Sequence, residues 1–132
     1  YYGALAALER LRAEDETLLA VATGKSRRGL DKLLQGHGLT GYFVSEQVAD
    51  FHPSKPHPAM LEAVLRDTGL APHQAVMVGD TRFDMEMARA AGIATIGVRW
   101  GYHAPETLGA DRLIGHFDEL YDAVNALLGV SA

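Results

Sequence analysis

The sequence predicts an α/β layer sandwich, a mostly parallel sheet covered by helices on both faces. Three observations predict it. Residues 18–22, 75–78 and Ala94–Val98 are short runs with little or no polar alternation, the pattern of strands buried on both sides. Segments with apolar residues at helical spacing lie between them, and βαβα alternation points to a parallel sheet. Punctuation is placed to match: Thr23-Gly24, Gly79-Asp80 and Gly92 each close a run. The chain has 132 residues, enough to bury one core, and carries no repeat, low-complexity tract or linker, so it reads as one domain over 1–132.

Taken in order, Leu5, Leu8 and Leu11 recur at helical spacing among Glu9, Arg10 and Arg12. The run 18–22 is the first strand. Ser26 is an N-cap for a helix carrying Leu30, Leu33 and Leu34, which stops at Gly36 or Gly38. Residues 42–44 form the second strand. The segment 53–58 holds three prolines and must be irregular, because each fixes φ and removes a donor. A helix follows with Met60, Leu61, Val64 and Leu65 on one face and ends near Gly69. Residues 75–78 are the third strand and 83–91 the next helix. Ala94–Val98 is the fourth strand, and Arg112–Ile114 a fifth. Phe117, Leu120, Tyr121, Val124, Leu127 and Leu128 make a final amphipathic helix.

Composition narrows the function. With 12 Lys+Arg against 17 Asp+Glu the net charge is −5, which disfavours a nucleic-acid surface. The chain has no cysteine, hence no thiol nucleophile, thiolate metal site or disulfide; this is compatible with a cytoplasmic protein. No apolar stretch approaches the roughly 20 residues that span a bilayer. The first residues are Tyr1-Tyr2-Gly3 rather than Met, so the chain is expected to begin inside a larger protein.

Ligands of open α/β sheets bind outside the carboxyl ends of the strands. Three segments put polar residues there. In Gly79-Asp80-Thr81-Arg82-Phe83-Asp84, two carboxylates four residues apart follow a strand, a pairing that suits a hard cation such as Mg²⁺. The plainer alternative is that Asp80 caps the helix and Asp84 is a first-turn acid favoured by the helix dipole. In Ser54-Lys55-Pro56-His57-Pro58, a lysine held between prolines could neutralise a phosphate, or be a solvated loop residue. In Thr23-Gly24-Lys25-Ser26, a hydroxyl at a strand end precedes a helix N-terminus, an anion site or simply a capped helix. Gly-Lys-Ser also ends a P-loop, but that motif needs glycine where Leu19 stands, so the P-loop reading fails. The six histidines lack the i, i+4 spacing of a helical zinc site and read as loop residues, with His57 or His103 as candidate pocket walls. Trp100, Tyr102, Phe43 and Phe117 read as packing.

In this order the three segments resemble the haloacid dehalogenase (HAD) superfamily, nearest its phosphoglycolate-phosphatase-like branch. Residues 21–25 resemble its second motif, 54–58 its third, and 78–84 with 88–92 its fourth. Residues 98–102 and Ala110-Asp111 resemble its late strand and closing segment. The resemblance implies a three-layer Rossmann-like core and a Mg²⁺-dependent phosphatase acting on a small phosphorylated metabolite. It implies that Thr23 hydrogen-bonds the transferring phosphoryl group and that Lys55 neutralises its charge. Asp80 would bind Mg²⁺, Asp84 would hold a metal water or orient Lys55, and Gly24 and Lys25 would offer backbone or charge near the substrate. The family's first motif, an Asp-x-Asp pair that supplies the nucleophile and the acid/base, has no counterpart: no aspartate here has another two positions later. The expectation is therefore a partial core lacking its first, central strand and the cap, inactive alone, with open sheet edges free to associate with a missing N-terminal segment. A catalytically dead binding or assembly module and a receiver-type signalling domain are the alternatives.

Overall fold

The computed structural model describes residues 4–13, 17–52, 57–99 and 109–128. Its elements alternate in chain order. Helix α1 (Ala4–Arg12) leads into strand β1 (Ala20–Ala22), helix α2 (Arg27–Gly36) and strand β2 (Ser45–Gln47). Helix α3 (Ala59–Thr68), strand β3 (Val76–Gly79) and helix α4 (Arg82–Ala90) follow, and then strands β4 (Ala94–Val98) and β5 (Arg112–Ile114). Helix α5 (Leu120–Leu128) is the last described element. All the strand pairings described are parallel, as apolar runs joined by helices require.

Local chemistry explains most boundaries. Ser26 caps α2, its hydroxyl accepting the Gly29 N–H at 3.1 Å. Gly69 closes α3 in the left-handed region at φ 72°, where a side chain would be strained. Two forecasts shift. The second strand is Ser45–Gln47 rather than 42–44. Tyr42 and Phe43 instead pack edge to face, with ring centres 5.4 Å apart. The polar strand is stabilised by partners distant in sequence: the Ser45 hydroxyl and the Gln47 amide both donate to Asp67 of α3, at 2.7 and 2.8 Å, and Arg27 donates to Glu46. The final helix also starts later, after a 3₁₀ turn at Phe117–Glu119.

Among the described residues the core has three parts. Leu11 of α1 packs with Leu120, Ala123 and Val124 of α5 against Ile96, Val98 and Ile114. Leu30 and Leu34 of α2 pack with Val48, and Val21 of β1 joins them. On the opposite face Met60 and Leu61 of α3 pack with Met87 and Ala88 of α4 and with Ile93. The result is helix, sheet, helix.

The sheet itself is split. Among the described residues β1 pairs only with β2, and β3–β4–β5 form a separate three-stranded sheet. Yet helices on both faces bind the halves together. Leu19, just ahead of β1, and Val76, first in β3, reach the α1–α5 cluster, while Ala22 and Met77 reach the α3–α4 cluster. Leu19 and Val76, at or just ahead of the amino ends of β1 and β3, thus share one cluster, and Thr23 and Asp80 follow the carboxyl ends of those strands.

Candidate active site

Of the residues to which the sequence assigns a role, Thr23, Gly24 and Lys25 follow β1, and Asp80 and Asp84 follow β3. Thr23 follows β1 directly, and its N–H donates to the Gln47 carbonyl at 3.0 Å. Its hydroxyl oxygen accepts the Lys25 N–H at 3.1 Å. That bond leaves the hydroxyl proton to be donated, and no acceptor for it occurs among the described residues. Lys25 has its amide committed to Thr23, so it offers only its ammonium, which is exposed and has no partner among the described residues. Gly24 is exposed, and a side chain there would meet nothing within 4 Å.

At the end of β3 the cap assignment changes. Thr81, not Asp80, is the N-cap of α4. Its hydroxyl accepts the Asp84 N–H at 3.2 Å, and its own N–H and O–H reach Asp84 Oδ2 at 3.2 and 3.1 Å. This reciprocal box holds a carboxylate that is only 4% exposed. Thr81→Ala removes the box and is expected to cost about 1 kcal/mol, read as a fall in the urea unfolding midpoint. Asp80 takes no part. It is half-buried, and its carboxylate has no partner among the described residues. Gly79 completes the arrangement. A Cβ there would lie 2.6 Å from Asp84 Cβ and 2.7 Å from Asp84 Oδ2, so the strand end and the carboxylate touch. Sequence reasoning missed both Gly79 and Thr81, although Thr81-x-x-Asp84 carries the capping-box spacing.

Lys55 and the rest of 53–56 lie outside the described residues, as do Trp100, Tyr102 and His103. The flanks of that loop are placed. His52 Nε2 meets Gln47 Oε1 at 2.7 Å, and His57 Nδ1 accepts the Ala59 N–H at 3.1 Å at the start of α3. His52 is thereby tied, through Gln47, to the Ser45–Asp67 pair under α3.

Among the described residues no three His, Cys, Asp or Glu side chains gather into a ligand group. Mg²⁺ does not need three: it keeps several waters and is commonly held by one or two carboxylates and substrate phosphate. The Asp80 carboxylate, without a partner among the described residues, fits a direct ligand. Asp84, with Oδ2 taken by Thr81, fits an outer position better.

A family model described as haloacid dehalogenase-like hydrolase matches residues 1–98. The chain belongs to the haloacid dehalogenase-like hydrolases. It is 38% identical over 135 residues to a Dickeya dadantii protein named "Probable phosphatase IndB", covering 98% of this chain and 58% of the relative. It is 36% identical over 124 residues to a phosphoglycolate phosphatase of Mesorhizobium japonicum, covering 91% and 54%. A solved HAD-superfamily hydrolase of subfamily IA, variant 1, from Geobacter sulfurreducens superposes with a TM-score of 0.81 at 31% identity, covering 93% of this chain and 55% of that one. The chain thus spans about half the length of these HAD relatives. Among the described residues no helix is long and apolar enough to cross a membrane.

Proposed function

We propose that residues 1–132 form the substrate-binding and metal-binding part of a HAD-type phosphatase, acting in the cytoplasm on a small phosphorylated metabolite. The observation that carries this reading is Asp80: a half-buried carboxylate with no partner among the described residues, beside an Asp84 locked in place by Thr81. A carboxylate left unpaired while its neighbour is tied down is suited to a cation. Names of the relatives support the phosphatase reading. Bound at Asp80, with Asp84 behind it, Mg²⁺ would supply positive charge against the transferring phosphoryl oxygens.

In this reading the Thr23 hydroxyl donates to a non-bridging phosphoryl oxygen and Lys55 neutralises charge on the same group. The attacking carboxylate comes from a part of the protein outside 1–132. It forms a bond to phosphorus as the ester P–O bond breaks, and a neighbouring acid gives the leaving alcohol its proton. Water then cleaves the acyl phosphate, releasing phosphate and restoring the carboxylate.

Hydrolysis of 4-nitrophenyl phosphate with Mg²⁺ tests the proposal. The 132-residue chain is expected to show no turnover above buffer, and the protein extended by its natural upstream sequence to turn over. An extended protein that stays silent toward a panel of phosphate monoesters sinks the reading. In the active form, Thr23→Val is expected to lower kcat about tenfold, the scale of one hydrogen bond to a charged group. Unchanged kcat would remove Thr23 from the site.

A further inference from the structure

We propose that Asp50 is a positioning residue: its carboxylate clamps the turn after β1 and so fixes the Thr23 hydroxyl. The clamp itself is read from hydrogen bonds. Only its consequence for turnover rests on the proposed function.

The turn departs from the strand pairing in a definite way. β1 and β2 run parallel with Ala22 opposite Gln47, and the Thr23 N–H still donates to the Gln47 carbonyl at 3.0 Å. In a regular ladder the Ala49 N–H would donate next to the Thr23 carbonyl. It donates to the Lys25 carbonyl instead, at 3.0 Å. The extra chain on the β1 side forms the turn. Its inside is closed by the Lys25 N–H, which donates to the Thr23 hydroxyl oxygen at 3.1 Å. A shift of Lys25 is therefore passed directly to the hydroxyl that the proposed chemistry uses.

Asp50 fixes the far side of this turn. Its Oδ2 accepts the Arg27 N–H at 3.1 Å, across 23 residues of chain. Arg27 opens α2, and the first amides of a helix have no partner inside it. Ser26 caps the same helix through another amide, that of Gly29. One helix start thus has two side-chain acceptors. The first is local, as an N-cap is. The second comes from beyond β2 and ties segment 47–50 to segment 23–27. The Arg27 guanidinium adds a further tie, to Glu46 in β2.

A clamp needs a rigid arm, and 47–50 supplies one. The Gln47 side chain donates to Ser45 and Asp67, and its Oε1 meets His52. Val48 is fully buried against Leu30 and Leu34 of α2. Ala49 and Asp50 then begin a 3₁₀ turn, Ala49–Phe51. Asp50 is itself exposed, so its contribution is the bond to Arg27 and not core packing.

The test uses the protein extended by its natural upstream sequence, labelled with nitrogen-15. Asp50→Ala and Asp50→Asn remove the same charge, but asparagine keeps an oxygen that can accept the Arg27 N–H. The difference between them therefore reads the hydrogen bond rather than the charge. Hydrogen exchange at the Lys25, Arg27 and Ala49 amides is expected to quicken about tenfold in Asp50→Ala, the scale of one hydrogen bond to a charged group. In Asp50→Asn it should quicken no more than about threefold. Faster exchange at Arg27 alone would make Asp50 an ordinary helix cap and overturn the clamp. Equal quickening in both variants would assign the effect to charge and overturn it too.

Turnover of an aryl phosphate reads the positioning. Asp50→Ala is expected to lower kcat about tenfold, as Thr23→Val does, with Asp50→Asn restoring most of it. In a Thr23→Val background Asp50→Ala should cost nothing further, because the group it positions is gone. Unchanged kcat in Asp50→Ala, or a second full loss in that background, overturns the positioning role. An extended protein without any turnover counts against the proposed function, and the exchange comparison then decides the clamp by itself.

Discussion

Asp80→Asn in the active, extended protein is expected to lower kcat by about 10³-fold or more while leaving the fold intact. The two halves of that statement come from different parts of the structure. Several kcal/mol of charge stabilisation is what a bound cation contributes to phosphoryl transfer, and each 1.36 kcal/mol is tenfold in rate. Asparagine keeps the shape of the side chain but removes the charge that holds a hard cation. Stability should be unaffected, because Thr81 rather than Asp80 caps α4, and the Asp80 carboxylate has no partner among the described residues. The measurement is kcat for an aryl phosphate across a range of Mg²⁺ concentrations, together with the urea midpoint. An unchanged kcat would make Asp80 an ordinary loop acid. A large drop in the midpoint would mean that it has a structural role the hydrogen bonds do not reveal.

Much of this molecule was legible in its sequence because the signals are local. Ser26, Gly69 and the run Ala94–Val98 fix their elements by capping, positive φ and apolar continuity, and each lies where those signals place it. β2 was not legible, because its stability depends on Asp67, some twenty residues away in sequence and contacted only once α3 has docked. Nor was the split of the sheet visible in periodicity. The runs at 18–22 and 75–78 read as interior strands, and the helices above and below treat them so, but strand pairing is a long-range property. No Asp-x-Asp pair occurs in the sequence, and only the resemblance turned that into an expectation about the sheet. At the site, Asp80 and Asp84 looked equivalent in sequence. The structure separates them by hydrogen bonding: one is held by Thr81 and nearly inaccessible, the other is half-exposed and partnerless among the described residues.

Gly79→Ala is expected to damage both stability and turnover, and the reason is space rather than backbone conformation. Gly79 is not among the glycines with positive φ, so alanine could adopt its backbone without strain. Its Cβ could not be accommodated, lying 2.6 Å from Asp84 Cβ, 2.8 Å from Cγ and 2.7 Å from Oδ2. None of these atoms can swing aside cheaply. Asp84 is on the first turn of α4, and its Oδ2 is fixed by the Thr81 N–H and O–H. The end of β3 and the start of α4 must therefore part. Forced overpacking of this kind costs about 1–3 kcal/mol, expected as a lower urea midpoint. The same displacement moves Asp84 relative to Asp80, and a shift near 1 Å at a reacting centre can cost about 100-fold in rate. Thr81→Ala is the comparison that separates the two effects. It weakens the helix start without forcing the carboxylate away from the strand, so at a matched loss of stability it should retain far more turnover. If the two variants lose turnover in proportion to stability, Asp84 serves the fold and not the chemistry. If Gly79→Ala loses turnover well beyond that proportion, the contact between strand end and carboxylate is what sets the site.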